Sequence, residues 1–551
     1  MLSKEKAPRV GIVGGGPAGL LIAIELGRRN IDCILFESEV SPPWVPKANS
    51  STARTMEHYR RLGIANNVRA IGMPDDYPQD IAYFTRYTGG WELARFKGMT
   101  RSQALEKRFV DDPDWPTPEP VHRANQYFIE PILRAEAQKF PSVELRFGWR
   151  VNTIEQNGGG VEIEAEDVES GAVEKHQLSY LCGCDGTRSL ARRAAGVVLE
   201  GFANEEREFM GGTMYASRLI APAFYDLVEG SLAWQYMAVN PQRRSILSAL
   251  DGKGALTMHT QLPKGVKGSE EWVRESLRLV VGKEFPYSIE SSAEWTAGFA
   301  LVATNLAKER IFLAGDAAHL FTPTGGLGYN TAIEDAANLG WKMAAVAAGW
   351  GGPKLLQSYE DERKPIAHRN TGFARAMADN MGAFPVTPVL EEKSADGDQA
   401  RAALGKKLAE HAHLEFHTPG IQLGVRYDTS PVIAHEKGAD IPADQPNSYK
   451  PVGIPGGRAP HVWLGHDHAI SDLFGMDFTL LSLNPGIDTS DMEKAAAGLG
   501  IPFKQVSLGN EQARDLYGAD LILIRPDQHI AWRGNQLPES PVALLRLVTG
   551  W

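Results

Sequence analysis

The stretch Val10-Gly11-Ile12-Val13-Gly14-Gly15-Gly16-Pro17-Ala18-Gly19 constrains this chain more than any other part of it. Residues 9–14 read as a short buried strand. Residues 17–29 (PAGLLIAIELGRR) carry apolar residues at helical spacing, and 32–37 (DCILFE) read as a second strand. Strand, helix and strand within about thirty residues form a βαβ unit, which commits the chain to a parallel sheet. The turn satisfies G-x-G-x-x-G through Gly14, Gly16 and Gly19. One glycine makes the bend, one lets the backbone approach a pyrophosphate, and one lets helix pack on strand. Pro17 and Ala18 open the helix, whose positive end faces the phosphates. Glu37, with Ser38 beside it, ends the second strand 18 residues after Gly19, in position to accept a ribose hydroxyl. The chain is read as binding a dinucleotide; this motif does not separate flavin from nicotinamide.

Two further segments narrow the reading. Cys184-Asp185-Gly186-Thr187-Arg188-Ser189-Leu190-Ala191-Arg192 follows the apolar run 178–182. Gly315-Asp316-Ala317-Ala318-His319 follows a strand at 309–314 and leads to Pro323 and then Gly325-Gly326-Leu327-Gly328-Tyr329-Asn330. Asp316, after a strand, is placed to accept hydrogen bonds from ligand hydroxyls. Pro323 and the glycines leave backbone bare against a planar ring. A long helix starting near Gly328 points its free N–H groups and positive end at that ring.

The rest of the chain reads as follows. A helix lies near 52–62, another over 124–139, and strands at 143–154 and 160–166. Residues 110–120 carry four prolines and form a loop. The strand-rich stretches 210–217, 231–238, 244–250 and 255–262 form an antiparallel sheet inserted between two halves of the first domain. Helices follow Gly328 to about residue 382. The α/β architecture is thus a Rossmann-like domain in two halves, 1–205 and 300–384, an inserted sheet domain over 206–299, and a linker over 385–462. The order β-α-β, β-β-α over 463–551 predicts a thioredoxin-like domain. It lacks C-x-x-C, because no cysteine lies beyond Cys184.

Composition excludes several classes. The net charge of −11 disfavours nucleic acid and anionic membranes as partners. No run of 18 apolar residues exists, so no membrane-spanning helix is expected. Three cysteines and an N-terminus (residues 1–8) without an apolar core fit a cytoplasmic protein without a disulfide framework. Cys182 and Cys184 form an isolated C-x-C, and no metal site is expected.

Together the Gly fingerprint, the D-G-x-x-S-x-x-R segment and the G-D segment with its glycine-rich helix start resemble the class A flavoprotein monooxygenases, the aromatic hydroxylases of the para-hydroxybenzoate hydroxylase fold. The resemblance runs from about residue 8 to 382. The C-terminal part, with Pro455-Gly456-Gly457-Arg458-Ala459-Pro460-His461, resembles the longer subgroup of phenol, 3-(3-hydroxyphenyl)propionate and polyketide hydroxylases. The resemblance implies FAD as cofactor, NADH or NADPH as transient co-substrate, and O2. It implies oxygen transfer from a flavin C4a-hydroperoxide to a phenol or other electron-rich aromatic, or to a larger polycycle, including Baeyer–Villiger insertion. It also implies a homodimer.

For the site, the resemblance places Gly14, Gly16, Pro17, Ala18, Gly19, Glu37, Ser38, Lys47, Arg54, Gln126, Asp185, Gly315, Asp316, Tyr329 and Asn330 at the cofactor. It places the backbone near Pro323, Gly326, Leu327 and Gly328 at the flavin ring, and gives His319 a supporting role. Tyr215, Trp234, Tyr236 and His259 of the inserted sheet are the candidate substrate contacts. Which of them faces the flavin depends on strand register, which the sequence leaves open. The residue that acts as base is not assigned. A non-redox binding protein on a similar scaffold is the alternative from another class; it would not need the two flavin segments.

Overall fold

A computed structural model describes residues 9–41, 47–109, 112, 114–203 and 205–551. The readings of residues 1–8 and of part of the 110–120 loop lie outside the described residues. Val10–Val13 pairs in parallel with Cys33–Glu37 on one side and Tyr180–Gly183 on the other. Val143–Phe147 and Ile311–Leu313 extend the sheet in parallel, and Ala307–Lys308 closes one edge antiparallel. These strands are short unbroken apolar runs because both faces of the parallel sheet are covered, one by helices and the other by antiparallel strands whose Val161, Ile163 and Leu178 join the same core. The helix Pro17–Gly27 shows why alternation is absent there: every residue after Pro17 is buried. It lies against the long helix Leu327–Ala347, and Gly340 allows the approach, since a Cβ there would sit 2.6 Å from the Glu25 Cβ.

The expected strand at 143–154 is two strands. Gly148, at φ +79°, turns the chain out of the parallel sheet. Trp149–Asn157 then pairs with Gly160–Asp167 and Val173–Leu178 in a separate three-stranded meander.

The large sheet has seven strands in the order Ser288–Ala297, Gly212–Ile220, Ala255–Gln261, Arg244–Ala249, Gln235–Val239, Ile81–Phe84, Glu92–Phe96. Two of these come from well before residue 206, so the sheet is not confined to 206–299. Ile81–Phe84 joins by parallel pairing with Gln235–Val239, a long-range contact that leaves no local signature. The amphipathic helix Glu270–Val281, capped by Ser269, covers one face and was not expected from the strand-rich pattern.

The stretch expected as a linker over 385–462 contains the 22-residue helix Ala395–Phe416. Ser394 caps it by accepting from the Gly397 N–H at 3.1 Å. Its buried Leu404, Leu408 and Ala412 join the core of the seven-stranded sheet. The C-terminal sheet runs Phe503–Ser507, Phe478–Ser482, Leu521–Ile524, Ile530–Gly534, with the first pair parallel and the others antiparallel. The helices Ser490–Gly498, Glu511–Tyr517 and Pro541–Val548 complete the thioredoxin-like arrangement. Its core includes Trp341 and Ala345 from the far end of Leu327–Ala347. Among the described residues no helix is long and apolar enough to cross a membrane.

Candidate functional site

The glycines of the first turn divide the work as the fingerprint requires. Gly14 has φ +105°, and a Cβ there would lie 2.2 Å from the Cys184 carbonyl oxygen. A Cβ on Gly19 would lie 2.0 Å from the Gly14 oxygen, so only glycine lets the helix seat on the strand. Gly16 differs: a Cβ there would meet nothing within 4 Å. It borders open space at the start of a helix that no side chain caps. Glu37 closes the far side of this turn and accepts from the Gly15 N–H at 2.7 Å. Ser38 donates its hydroxyl to Glu37 at 3.2 Å.

The G-D segment lies next to that helix start. Gly315, at φ +61°, faces Ala332 and Ala18 where a Cβ would add contact at 3.2 and 3.6 Å. Behind it, His319 and Asp335 lie wholly buried, with Nε2 2.6 Å from Oδ2. Arg363 donates to the other Asp335 oxygen at 2.8 Å. Burial would raise the Asp335 carboxyl, but His319 and Arg363 more than offset this and hold it low. His319 is therefore a support of the turn. Asp316 points the other way. Its carboxylate is reached by solvent, yet protein crowds it enough that desolvation raises its pKa against the pull of His319 and Lys47. It accepts no hydrogen bond among the described residues.

After Pro323, Gly325 and Gly326 take consecutive left-handed conformations, φ +73° and +64°. The helix Leu327–Ala347 then begins with no side-chain cap. Its first N–H groups are open donors, next to backbone without side chains. Asn330 fixes this loop. It donates to the Gly326 and Ser50 carbonyls at 2.7 and 3.0 Å, and accepts from the Thr52 N–H and Thr55 hydroxyl at 2.8 and 2.7 Å. The Tyr329 hydroxyl bonds that of Tyr59.

The structure brings Lys47 and Gln126 together at one carboxylate. Both donate to Oε1 of the buried Glu130, at 3.0 and 2.7 Å, a residue that sequence reasoning passed over as one helical polar position among many. Asp185 borders the groove, but its carboxylate is taken. It accepts from the Ser189 hydroxyl and the N–H groups of Leu190 and Ala191, capping the short helix Leu190–Ala194. Arg192 donates to the Ala317 carbonyl at 3.0 Å and so ties the D-G segment to the G-D turn. Arg54 does not reach the groove. Its guanidinium is buried against Glu57 at 2.8 Å and the Asp527 carbonyl of the C-terminal domain, because it lies on the opposite face of its helix.

Register sorts the four sheet candidates. Tyr83, Met237, Ile246, His259 and Ala216 stand in one row across the sheet and share a face. Trp295 meets His259 edge-on, with centroids 5.9 Å apart. The Glu270–Val281 helix covers the other face, where Trp272 donates to Thr260. Tyr215 lies opposite Thr260 on that covered face, with its ring against Gly268. Tyr236 is there too, edge-on to Phe224 at 5.1 Å. Both are core residues, and the one-residue alternation of the strand decides it. Trp234 precedes its strand and lies under Arg123, whose carbon is 4.0 Å from the ring centroid. His259 is on the face away from that helix, and burial pushes its imidazole down to about 4, so it is neutral near pH 7. The helix Ala395–Phe416 bridges from this face to the glycine loop: Glu415 Oε1 accepts from the Gly325 N–H at 2.9 Å.

These features define a dinucleotide-binding protein in which a groove ends at a glycine loop beside one face of an antiparallel sheet. The open position at Gly16, the two uncapped helix starts and the unpaired Asp316 carboxylate fit the pyrophosphate, ring and polyol of FAD. Comparison with known proteins defines the family. The model described as FAD binding domain matches residues 8–374, and that of the aromatic-ring hydroxylase C-terminal domain matches 452–551. The chain belongs to this family and is an FAD-dependent monooxygenase. It is 30% identical to a tetracenomycin B2 monooxygenase-dioxygenase of Streptomyces olivaceus, covering 97% of this chain and 96% of that one. It is 28% identical to a phenol 2-monooxygenase of a Pseudomonas species, covering 98% and 92%. The rebeccamycin biosynthetic enzyme RebC, solved with bound 7-carboxy-K252c, superposes with a TM-score of 0.87 at 31% identity, covering 98% of this chain and 99% of that one.

Proposed function

We propose that the substrate is a hydroxylated aromatic, phenolic or polycyclic, that lies between the glycine loop and the sheet face bearing Met237, Ile246, His259 and Trp295. The observation that carries this reading is the shared placement of that face and the Pro323–Gly328 loop on either side of Glu415. The face is largely apolar and suits a flat ring. FAD, when bound, accepts hydride from NADH or NADPH and activates O2. The protein's own part is to hold and screen. Gly16 and the first helix start receive the pyrophosphate, Asp316 receives hydroxyls, and the N-terminus of Leu327–Ala347 supports negative charge on the ring. The sheet and the Ala395–Phe416 helix exclude water from the space above it. A homodimeric, cytoplasmic enzyme belongs to the same proposal.

The test is oxidation of NADH and NADPH by the FAD-loaded protein against phenols, resorcinols, hydroxyphenyl acids and polycyclic phenols, with product mass and ring connectivity. Stimulated oxidation with one added oxygen on an intact ring system supports hydroxylation. An added oxygen within a cleaved or expanded ring supports insertion instead. No stimulation by any aromatic refutes the reading.

A further inference from the structure

Buried polar atoms in folded proteins are nearly always paired, and a cluster of them left unpaired calls for a partner such as a water, an ion or a bound molecule. Four such atoms belong to three side chains at the edge of the substrate face: the Tyr83 hydroxyl, both ring nitrogens of His411, and Glu415 Oε2. The residues are 1%, 3% and 5% exposed. Tyr83 stands beside Met237 in the sheet row that also carries Ile246 and His259. His411 and Glu415 are one turn apart on Ala395–Phe416. His411 Nε2 lies 2.9 Å from Glu415 Oε2, but off the line that a hydrogen bond needs, so both atoms keep free capacity. The other Glu415 oxygen is engaged by the Gly325 N–H of the flavin-ring loop. The Glu415 carboxylate is also the charge that, after burial itself, raises the Tyr83 phenol. The cluster thus joins the sheet face to the ring loop. It offers one O–H donor, one carboxylate acceptor and one imidazole, with Phe384 edge-on to His411 at 5.4 Å and Phe96 beside Phe416 at 6.1 Å.

We propose that Tyr83, His411 and Glu415 form the subsite that recognises a ring hydroxyl of the substrate, with Glu415 Oε2 accepting its proton in a hydrogen bond and Tyr83 donating to its oxygen. This rests on the reading of the chain as an aromatic hydroxylase and deepens it. It selects ring hydroxyls over ring ethers or bare arenes, because a methyl ether cannot donate to the carboxylate and leaves it unpaired. A hydrogen bond to the carboxylate also feeds electron density into the ring.

The test uses paired probes on the FAD-loaded protein: phenol and anisole, resorcinol and 1,3-dimethoxybenzene, 1-naphthol and 1-methoxynaphthalene. Binding is read from perturbation of the flavin visible spectrum, independently of turnover, and NAD(P)H oxidation is read beside it. The wild type is expected to bind at least one hydroxyarene about tenfold or more tighter than its ether. Tyr83→Phe and Glu415→Gln should each bring that ratio toward parity. Glu415→Gln keeps an acceptor for the Gly325 N–H, so flavin content should hold, and His411→Asn serves as a third variant if either fails to fold. Ethers bound as tightly as phenols by wild type, or an unchanged ratio in flavin-loaded variants, overturns the subsite while leaving the hydroxylase reading intact. Silence of every probe in both assays overturns both.

Discussion

Two glycines three positions apart should fail in opposite ways. Gly19→Ala puts a Cβ 2.0 Å from the Gly14 oxygen and 3.3 Å from the Ile12 side chain. An ordinary contact needs about 3.5 Å, so the helix must lift by more than about 1 Å. Overpacking of that kind costs about 1–3 kcal/mol or more. Gly16→Ala meets no neighbour, and the Gly16 backbone at φ −73°, ψ −177° suits alanine. Its folding cost should stay within about 1 kcal/mol. The new methyl instead stands where the pyrophosphate must approach. Loss of even one hydrogen bond to a charged group, about 1.5–3 kcal/mol, raises the Kd for FAD about 10–100-fold. Thermal unfolding of the FAD-free proteins and flavin-fluorescence titration separate the two effects. Gly19→Ala should lower Tm before any flavin is added; Gly16→Ala should keep Tm and lose affinity. If Gly16→Ala binds FAD like wild type, the assignment of the open position to the pyrophosphate is wrong.

Other outcomes follow from the same geometry. Burial would raise the Glu57 and Glu362 carboxyls, but Arg458 and Arg525, with Arg54 and Lys342, hold each down to about 2. Because both folded values are depressed, their stabilisation is complete above the unfolded value, about 4.3, and is lost as pH falls toward 2. Each is worth about 3 kcal/mol over that window. Both partners lie on the C-terminal side of the chain, so acid should undock that domain, seen as a tryptophan fluorescence change between about pH 4 and 2. Asn330→Ala strands four partners of one side chain and should cost about 2–4 kcal/mol, with a lower Tm and weaker FAD binding. Lys47→Ala should weaken FAD binding and also lower Tm, because it leaves the buried Glu130 carboxylate without its cation, whereas Arg54→Ala should lower Tm and leave the affinity of the protein that stays folded near wild type.

Local chemistry was legible in the sequence where local chemistry decides. The glycine turn, the G-D loop and the start of the Leu327–Ala347 helix each follow from residues a few positions apart. Arg54 was misplaced because a charge near a motif says nothing of which helix face carries it; here the face turns to Asp527. Tyr215 and Tyr236 were misplaced because strand alternation needs a register that only pairing supplies. Tyr83 and Glu415 were missed for the same reason. Nothing local marks a strand at 81–84 as the neighbour of one at 235–239, or a helix at 395–416 as the neighbour of Gly325.

The helix Leu327–Ala347 spans 21 residues, about 30 Å, and belongs to two cores at once. One end begins at the glycine loop after Pro323. The other buries Trp341, edge-on to Phe478 at 5.9 Å, inside the thioredoxin-like domain. Recombination between this enzyme and its relatives therefore has no clean joint near residue 463. A chimera cut there would mate a foreign sheet to a native tryptophan, so a productive exchange must carry Trp341, Trp350 and Leu355 together with the domain that encloses them.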